Sequence, residues 1–341
     1  MEIELLTNVL FVLAGLVVLL FGGDFLVRGA TALARRLGIP ALIVGLTVVA
    51  FGTSAPEMVV SAFAGAQGRP GIAVGNIVGS NIANILLVLG LPALIAPMAT
   101  KAAGVRTNTA IALFASILFI ALTADGLFAD PAQLSGRLTP LDGAILFAFI
   151  IAYIVYLAWT AQRSSDDPVV AELTEAVEDN GLPKNPAAIA GTLLIGLIFL
   201  PIGAHLIVTG GSELAIGLGV DEAVVGLSLV ALGTSLPELA TATVAALRRQ
   251  AEMAIGNVIG SNIFNLFAVG GITGIATWLG PVDHAELGRS FFTIDFPVMM
   301  AAMVAATIFI FARRPIGRAA GAVLFLGYCG YIAALAWINL G

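Results

Sequence analysis

A six-residue pattern that breaks an apolar run occurs twice in this chain and restricts its fold more than any other feature. Gly52-Thr53-Ser54-Ala55-Pro56-Glu57 returns as Gly233-Thr234-Ser235-Leu236-Pro237-Glu238, 181 positions later, with one residue of the six changed. At the same offset and without a gap, Gly75-Asn76-Ile77-Val78-Gly79-Ser80-Asn81-Ile82-Ala83-Asn84 is matched by Gly256-Asn257-Val258-Ile259-Gly260-Ser261-Asn262-Ile263-Phe264-Asn265. The chain therefore reads as two copies of one unit, each carrying a carboxylate inside apolar sequence.

The medium is decided by composition. Hydrophobic residues make up 59% of the chain and charged residues 11%, with a mean hydropathy of +1.04; soluble domains hold about 25% charged residues. Such a chain is a membrane protein. Apolar runs long enough to cross about 30 Å of hydrocarbon fall near 5–34, 41–66, 71–97, 104–123 and 140–162, and again near 187–217, 222–247, 252–280, 290–312 and 317–339. Between the two sets, residues 163–186 are polar, with six acids, and read as a solvated loop. The expected organisation is a first five-helix repeat over 1–163, an acidic loop over 164–186 and a second five-helix repeat over 187–341.

An odd number of crossings per copy inserts the second copy upside down relative to the first, the inverted-repeat design of many secondary transporters. The fold class expected is an all-α membrane protein of ten transmembrane helices, two inverted five-helix repeats with broken helices at the site. With the amino terminus outside, inside loops would hold eleven basic residues, among them Arg35, Arg36, Arg248 and Arg249, and outside loops only Arg69, Arg137 and Arg289. Basic loops stay in the cytoplasm, so both termini are expected outside and the acidic loop inside. The net charge of −6 lies mostly in loops and gives no basic face for nucleic acid.

The second and seventh crossings are not expected to be continuous helices. Pro56 and Pro237 lack an N–H and clash one turn back, and Gly52 and Gly233 are poor helix formers, so carbonyls near each break lose their intrahelical partners. Glu57 and Glu238 follow the breaks directly, near the middle of their crossings. One such acid could be a protonated packing residue, whereas two related by the repeat point to a site, because ionisable groups in the membrane cost several kcal/mol and are kept for function. A hard divalent cation suits them. Calcium takes six to eight oxygens in irregular shells, whereas magnesium demands a tight octahedron. The chain supplies the Glu57 and Glu238 carboxylates, the Thr53 and Thr234 backbone carbonyls and the Asn84 and Asn265 amide oxygens, with the hydroxyls of Ser54, Ser80, Ser235 and Ser261 for smaller monovalent sites. His205 and His284 lie outside the repeated motifs, which argues against zinc or copper.

The paired Gly-Thr-Ser-x-Pro-Glu and Gly-Asn-x-x-Gly-Ser-Asn-Ile-x-Asn segments resemble the two alpha-repeats of the sodium/calcium exchanger family, within the cation/calcium exchanger superfamily, and the topology resembles it over nearly the whole chain. The resemblance implies a core of the second, third, seventh and eighth helices around the ions. Calcium would be held by Glu57, Glu238 and the Thr53 and Thr234 carbonyls. Ser54, Ser80, Ser235 and Ser261 would help form sodium sites, Asn84 and Asn265 would line the middle, and the long first and sixth helices would slide across the core. Many members carry Asp where this chain has Asn265, which bears on sodium stoichiometry and potassium dependence. The function expected is Na+/Ca2+ antiport across the cell membrane by a monomer, with Ca2+, Na+ and the lipid bilayer as partners, no cofactor and no enzymatic chemistry. Ca2+/H+ antiport is the second reading and a cation channel the reading from another class.

Overall fold

The computed structural model describes residues 2–67, 70–100, 102, 104–124, 135–165, 182–218, 231–279 and 284–340. The protein is almost wholly helical. In chain order the elements are α1 (Glu2–Leu37), α2 (Ala41–Thr53), α3 (Ala55–Ala66), α4 (Gly71–Ile95), α5 (Val105–Thr123), β1 (Gly136–Leu138), α6 (Pro140–Ser165), α7 (Pro186–Gly217), α8 (Ala231–Thr234), α9 (Leu236–Leu247), α10 (Ala251–Thr277), β2 (Ala285–Leu287), α11 (Phe291–Phe311) and α12 (Arg318–Leu340). Among the described residues eight helices are long and apolar enough to cross a membrane, and the bent pair α2–α3 makes a ninth. The remaining crossing, the seventh in chain order, ends in α9; its expected first part, near 222–230, lies outside the described residues, as does most of the acidic loop. The architecture is that of ten helices in two inverted repeats.

Burial sorts the helices by role. α4 and α10 are enclosed, whereas α1, α6, α7 and α12 leave most of their surface bare, with Leu5, Leu16, Ile198 and Leu326 facing outward as lipid-facing side chains do. α10 seats directly on α2: a methyl group on Gly256 would lie 2.8 Å from the Leu42 carbonyl oxygen, and one on Gly260 2.7 Å from Ala50 Cβ. Small residues permit this approach, and without a hydrophobic force between helices in lipid, close packing is what holds them together.

α1 and α7, of 36 and 32 residues, exceed the length a perpendicular crossing needs. α7 starts sharply: Pro186 occupies its first turn and the Asn185 side chain accepts a hydrogen bond of 2.7 Å from the Ala188 N–H. The two helices cross through glycines. A methyl on Gly196 would lie 2.7 Å from Leu26 N, on Gly203 2.6 Å from Leu19 N, and on Gly210 2.5 Å from the Asn8 carbonyl. They form one closely packed pair that also lies against the core.

That pair touches the two halves of the core unequally. α1 presses on α9, where Gly23 lies against the Ala240 carbonyl and Val244, and Ala240 and Val244 are 4% and 7% exposed. Their repeat counterparts on α3, Val59 and Phe63, are 60% and 65% exposed. The inverted symmetry is therefore broken by the placement of the α1–α7 pair. An ion pair reinforces the closed contact: Arg248 directs Nε to Asp24 Oδ1 at 2.6 Å and adds Nη2 to the same oxygen. The sequence spacing pairs Asp24 with Arg28, one turn away, but Arg28 Nη1 stands 3.6 Å from Asp24, and Arg248 takes the shorter contacts.

Features that the sequence does not announce complete the frame. α2, α4, α10 and α11 each contain one π-helical turn, at Gly45–Val49, Asn84–Val88, Asn265–Val269 and Phe291–Asp295. β1 pairs antiparallel with β2, placing Arg137 opposite Glu286, and a bridge joins Met98 to Ile316. Asp295, at the end of the π-helical turn of α11, is 8% exposed and accepts a 2.8 Å hydrogen bond from the Tyr331 hydroxyl.

Candidate ion-binding site

Each glutamate sits in the first turn of a half-helix that begins inside the protein. α2 and α3 meet at Ser54 with a bend of 46°, and α8 and α9 meet at Ser235. Pro56 and Pro237 occupy the first turns of α3 and α9, where a missing N–H costs nothing, while the preceding turn loses its i+4 donor. A carboxylate in a helix's first turn is favoured by the amino-terminal dipole. The breaks and the acids thus have one local cause, and the repeat supplies it twice.

The structure brings the two half-sites together. Glu57 and Glu238 are 1% and 0% exposed, lie within each other's electrostatic field, and are linked through Ser54, whose hydroxyl donates to Glu238 Oε1 at 3.2 Å. Thr53, Ser80, Asn84, Ser235, Ser261 and Asn265 are all buried; Thr234 is half-buried. The π-helical turns that open at Asn84 and Asn265 pack against α10 and α4 respectively, so each repeat's asparagine turn lies on the other repeat's helix. Among the residues singled out in the sequence, Thr53, Ser54, Glu238 and Thr234 take part in side-chain contacts across the repeat boundary.

What those residues lack is partners. Both carboxylate oxygens of Glu57, Glu238 Oε2, the hydroxyls of Ser80, Ser235 and Ser261, and both amide atoms of Asn84 and Asn265 are buried with no hydrogen-bond partner among the described residues. Leaving a buried polar group unpaired costs about 1–3 kcal/mol, and more where it is charged. A fold that concentrates such groups at symmetry-related positions presents a set of oxygens suited to a cation. Among the described residues no cluster of three acid, histidine or cysteine side chains occurs, so Glu57 and Glu238 are the acids of this set and its other unpartnered groups are neutral. That set is hard and oxygen-rich, as calcium and sodium require.

Asn81 Nδ2 donates to the Ile77 carbonyl in its own helix at 2.7 Å, and the side-chain oxygens of Asn81 and Asn262 are also buried with no hydrogen-bond partner among the described residues.

Two polar residues of the repeated motifs were not among the expected site residues. Asn76 Nδ2 donates to the backbone carbonyl of Glu57 at 3.3 Å, and Asn257 Nδ2 to that of Glu238 at 3.5 Å. The Thr53 hydroxyl donates to Asn257 Oδ1 at 3.2 Å, and the Thr234 hydroxyl to Asn76 Oδ1 at 3.4 Å. Their duplication at the offset of 181 was the available signal.

A cavity of about 500 Å³ reaches this interface from one side, its wall running along α4 from Gly71 past Asn76 to Ser80 and including Thr234. On the opposite side the counterparts Asn257 and Ser261 are 0% exposed.

Known proteins match this arrangement across the chain. Residues 7–160 and 188–337 match the family described as sodium/calcium exchanger protein. The sodium/calcium exchanger MaX1 of Methanosarcina acetivorans is 34% identical over 353 residues, covering 97% of this chain and 99% of that protein. The inner membrane protein YrbG of Escherichia coli is 35% identical over 333 residues, covering 96% of each. The structure of the sodium-calcium exchanger NCX_Mj soaked with 10 mM Na+ and zero Ca2+ superposes with a TM-score of 0.77 at 32% identity, covering 97% of this chain and 99% of that one. The two matched segments leave out the acidic loop and take in both glutamate breaks, and the chain belongs to the sodium/calcium exchanger protein family.

Proposed function

We propose that the protein exchanges Ca2+ for Na+ across the cell membrane by alternating access, with the ions bound between Glu57 and Glu238. The family makes it a cation antiporter and not an enzyme; the choice of ions is our reading. It is carried by the buried, unpartnered oxygens gathered around two carboxylates. Glu57 and Glu238, with the Thr53 and Thr234 backbone carbonyls, would hold calcium. Ser54, Ser80, Ser235 and Ser261 would serve sodium, and Asn84 and Asn265 would line the middle. We read the termini as outside and the acidic loop as cytoplasmic, on the eleven-to-three distribution of basic residues.

Obligatory exchange follows from the same charges. Two ionised glutamates occluded without a cation would carry a desolvation cost of order tens of kcal/mol in the Born limit, so the empty carrier does not pass through its occluded state. One calcium, or a set of sodium ions, neutralises the pair and permits the crossing. The unequal seating of the α1–α7 pair supports the conformational half of this reading. In the opposite state α7 would cover Val59 and Phe63, and α1 would release Ala240 and Val244.

The test is calcium uptake by reconstituted proteoliposomes driven in turn by outward sodium, potassium and proton gradients. Sodium alone is expected to drive uptake; uptake driven by protons and not by sodium would replace this reading with Ca2+/H+ antiport, and single-channel currents would replace it with a pore.

Two substitutions refine it. Asn265→Asp adds a third carboxylate beside the pair and is expected to change the sodium and pH dependence of initial rates more than the calcium K0.5, measured over a sodium series at several pH values. Asp24→Asn removes the charge from the Arg248 contact that reinforces α1 against α9. A partly exposed ion pair is worth at most about 1 kcal/mol, so the ratio of calcium K0.5 values on the two membrane faces is expected to shift by up to about fivefold. Asp24→Arg combined with Arg248→Asp should restore the ratio.

A further inference from the structure

We infer that Asn76 and Asn257 are reciprocal positioning residues, each tying the site glutamate of its own repeat to the threonine of the other, so that neither half of the ion site can move without its mate. The inference rests on the function proposed above and assigns these two residues a task in it.

The geometry is duplicated bond for bond. In each repeat the asparagine amide donates to the carbonyl of the glutamate 19 positions before it. In each repeat the same amide's oxygen accepts from a threonine hydroxyl on the far side of the repeat boundary, Thr53 for Asn257 and Thr234 for Asn76. The result is two crossed relays, Thr53–Asn257–Glu238 and Thr234–Asn76–Glu57. Thr53 is the last residue of α2 and Thr234 the last of α8, so each relay grips one break at its end and the other break just past its start.

Three features point to positioning and not to ion binding. Asn76 and Asn257 each have amide nitrogen and oxygen both engaged with protein, unlike Asn84 and Asn265, whose amide atoms have no partner among the described residues. Their bonds to the glutamates go to the backbone carbonyls and not to the carboxylates. An amide is also neutral, so the relay fixes distance without competing with the cation for the carboxylates. The relays are not wholly equivalent. Asn76 Nδ2 gains a second acceptor in Ser61 Oγ at 2.9 Å, where the repeat counterpart is Ala242, and the Thr53 hydroxyl has a local alternative in the Ala50 carbonyl at 3.4 Å. The first repeat's asparagine amide therefore has one more acceptor than the second's.

A site whose calcium shell draws oxygens from both repeats depends on the distance between them. Loosening one relay should therefore weaken calcium binding more than it slows the conformational step. The test is a pair of double-mutant cycles on the full-length protein in proteoliposomes, reading calcium K0.5 and maximal rate separately. Thr53→Val is expected to raise the calcium K0.5 about three- to tenfold, the size of one lost hydrogen bond, with a smaller change in maximal rate. In an Asn257→Ala background the same substitution should add little, whereas with Asn76→Ala the two factors should multiply. Thr234→Val should show the mirror result, coupled to Asn76 and independent of Asn257.

Thr53→Ser keeps the hydroxyl and loses only a methyl group, and is expected to raise the K0.5 less than Thr53→Val does. Multiplying effects across both cycles, or coupling of Thr53 to Asn76 in its own repeat, would overturn the relay. If an alanine variant is not recovered folded, the Thr53→Ser and Thr53→Val comparison decides, and equal K0.5 values in those two would overturn it. Absence of calcium transport in the unsubstituted protein would instead defeat the reading of function, and multiplying cycles in an active transporter would defeat the relay alone.

Discussion

Glu57→Gln and Glu238→Gln proteins are expected to fold, insert and carry calcium at less than about one hundredth of the unsubstituted rate. Glutamine preserves the volume of the side chain and one of its oxygens, so the packing of α3 and α9 is left intact and only charge is removed. At contact distance a divalent cation gains several kcal/mol from one carboxylate even at an effective dielectric of about 20, and each 1.36 kcal/mol is tenfold in rate; loss of one of two charges therefore exceeds a hundredfold. The ion-free protein should respond in the opposite direction. Two carboxylates buried within each other's field destabilise it, and neutralising one relieves that cost. The gain should be larger for Glu57, whose two oxygens are both unpartnered, than for Glu238, whose Oε1 accepts from Ser54. Thermal unfolding with and without calcium reads this directly. Calcium raises the melting temperature of the unsubstituted protein by binding the folded state, and the glutamine variants should start as high or higher and lose most of the increment. Unsubstituted flux in either variant would remove the ion site from this interface.

How much of this was legible follows from which interactions are local. The duplicated Gly-Thr-Ser-x-Pro-Glu motif holds its break and its acid within six residues, and backbone chemistry alone forces them together, so the bend at Ser54 and the placement of Glu57 follow from the motif itself. The meeting of Glu57 with Glu238 was legible for a different reason, since an odd number of crossings brings equivalent mid-membrane positions to one interface. The relays through Asn76 and Asn257 were not. An asparagine in a membrane helix most often bonds its nearest neighbour, as Asn81 does with Ile77, and the choice of Thr53 by Asn257, 204 positions away, is made by tertiary packing. Asp24 is similar: spacing offered Arg28 one turn on, but Arg248 approaches along the α1–α9 contact with two guanidinium nitrogens on one oxygen. The π-helical turns at Asn84 and Asn265 left no trace because one extra residue in a turn changes the hydrophobic period too little to register over five positions. Such turns concentrate at functional sites, and here both open on the asparagines that line the candidate site.

Gly203→Ala is expected to destabilise the protein by about 1–3 kcal/mol, the usual range for overpacking a close contact, and to lower calcium transport more than tenfold. The added methyl would lie 2.6 Å from Leu19 N, 2.8 Å from the Gly15 carbonyl and 2.9 Å from Leu19 Cα. All three are backbone atoms of α1, which no rotamer change can move aside, so the two long helices must separate along their crossing. That crossing makes α1 and α7 a single body. Once it is loosened, α1 can lean on α9 without carrying α7 with it, and opening on one side ceases to be tied to closing on the other. Gly191→Ala is the control on the same helix. Its methyl would meet nothing within 4 Å among the described residues, and replacing glycine by alanine inside a helix is favourable by about 1 kcal/mol. Unfolding temperature and initial calcium uptake measured together separate the possibilities. Loss of stability with normal uptake would mean that the helices can slide independently; loss of both, with Gly191→Ala unaffected, ties transport to the rigidity of the pair. If Gly203→Ala matched Gly191→Ala in both measurements, the close crossing would not exist in the membrane.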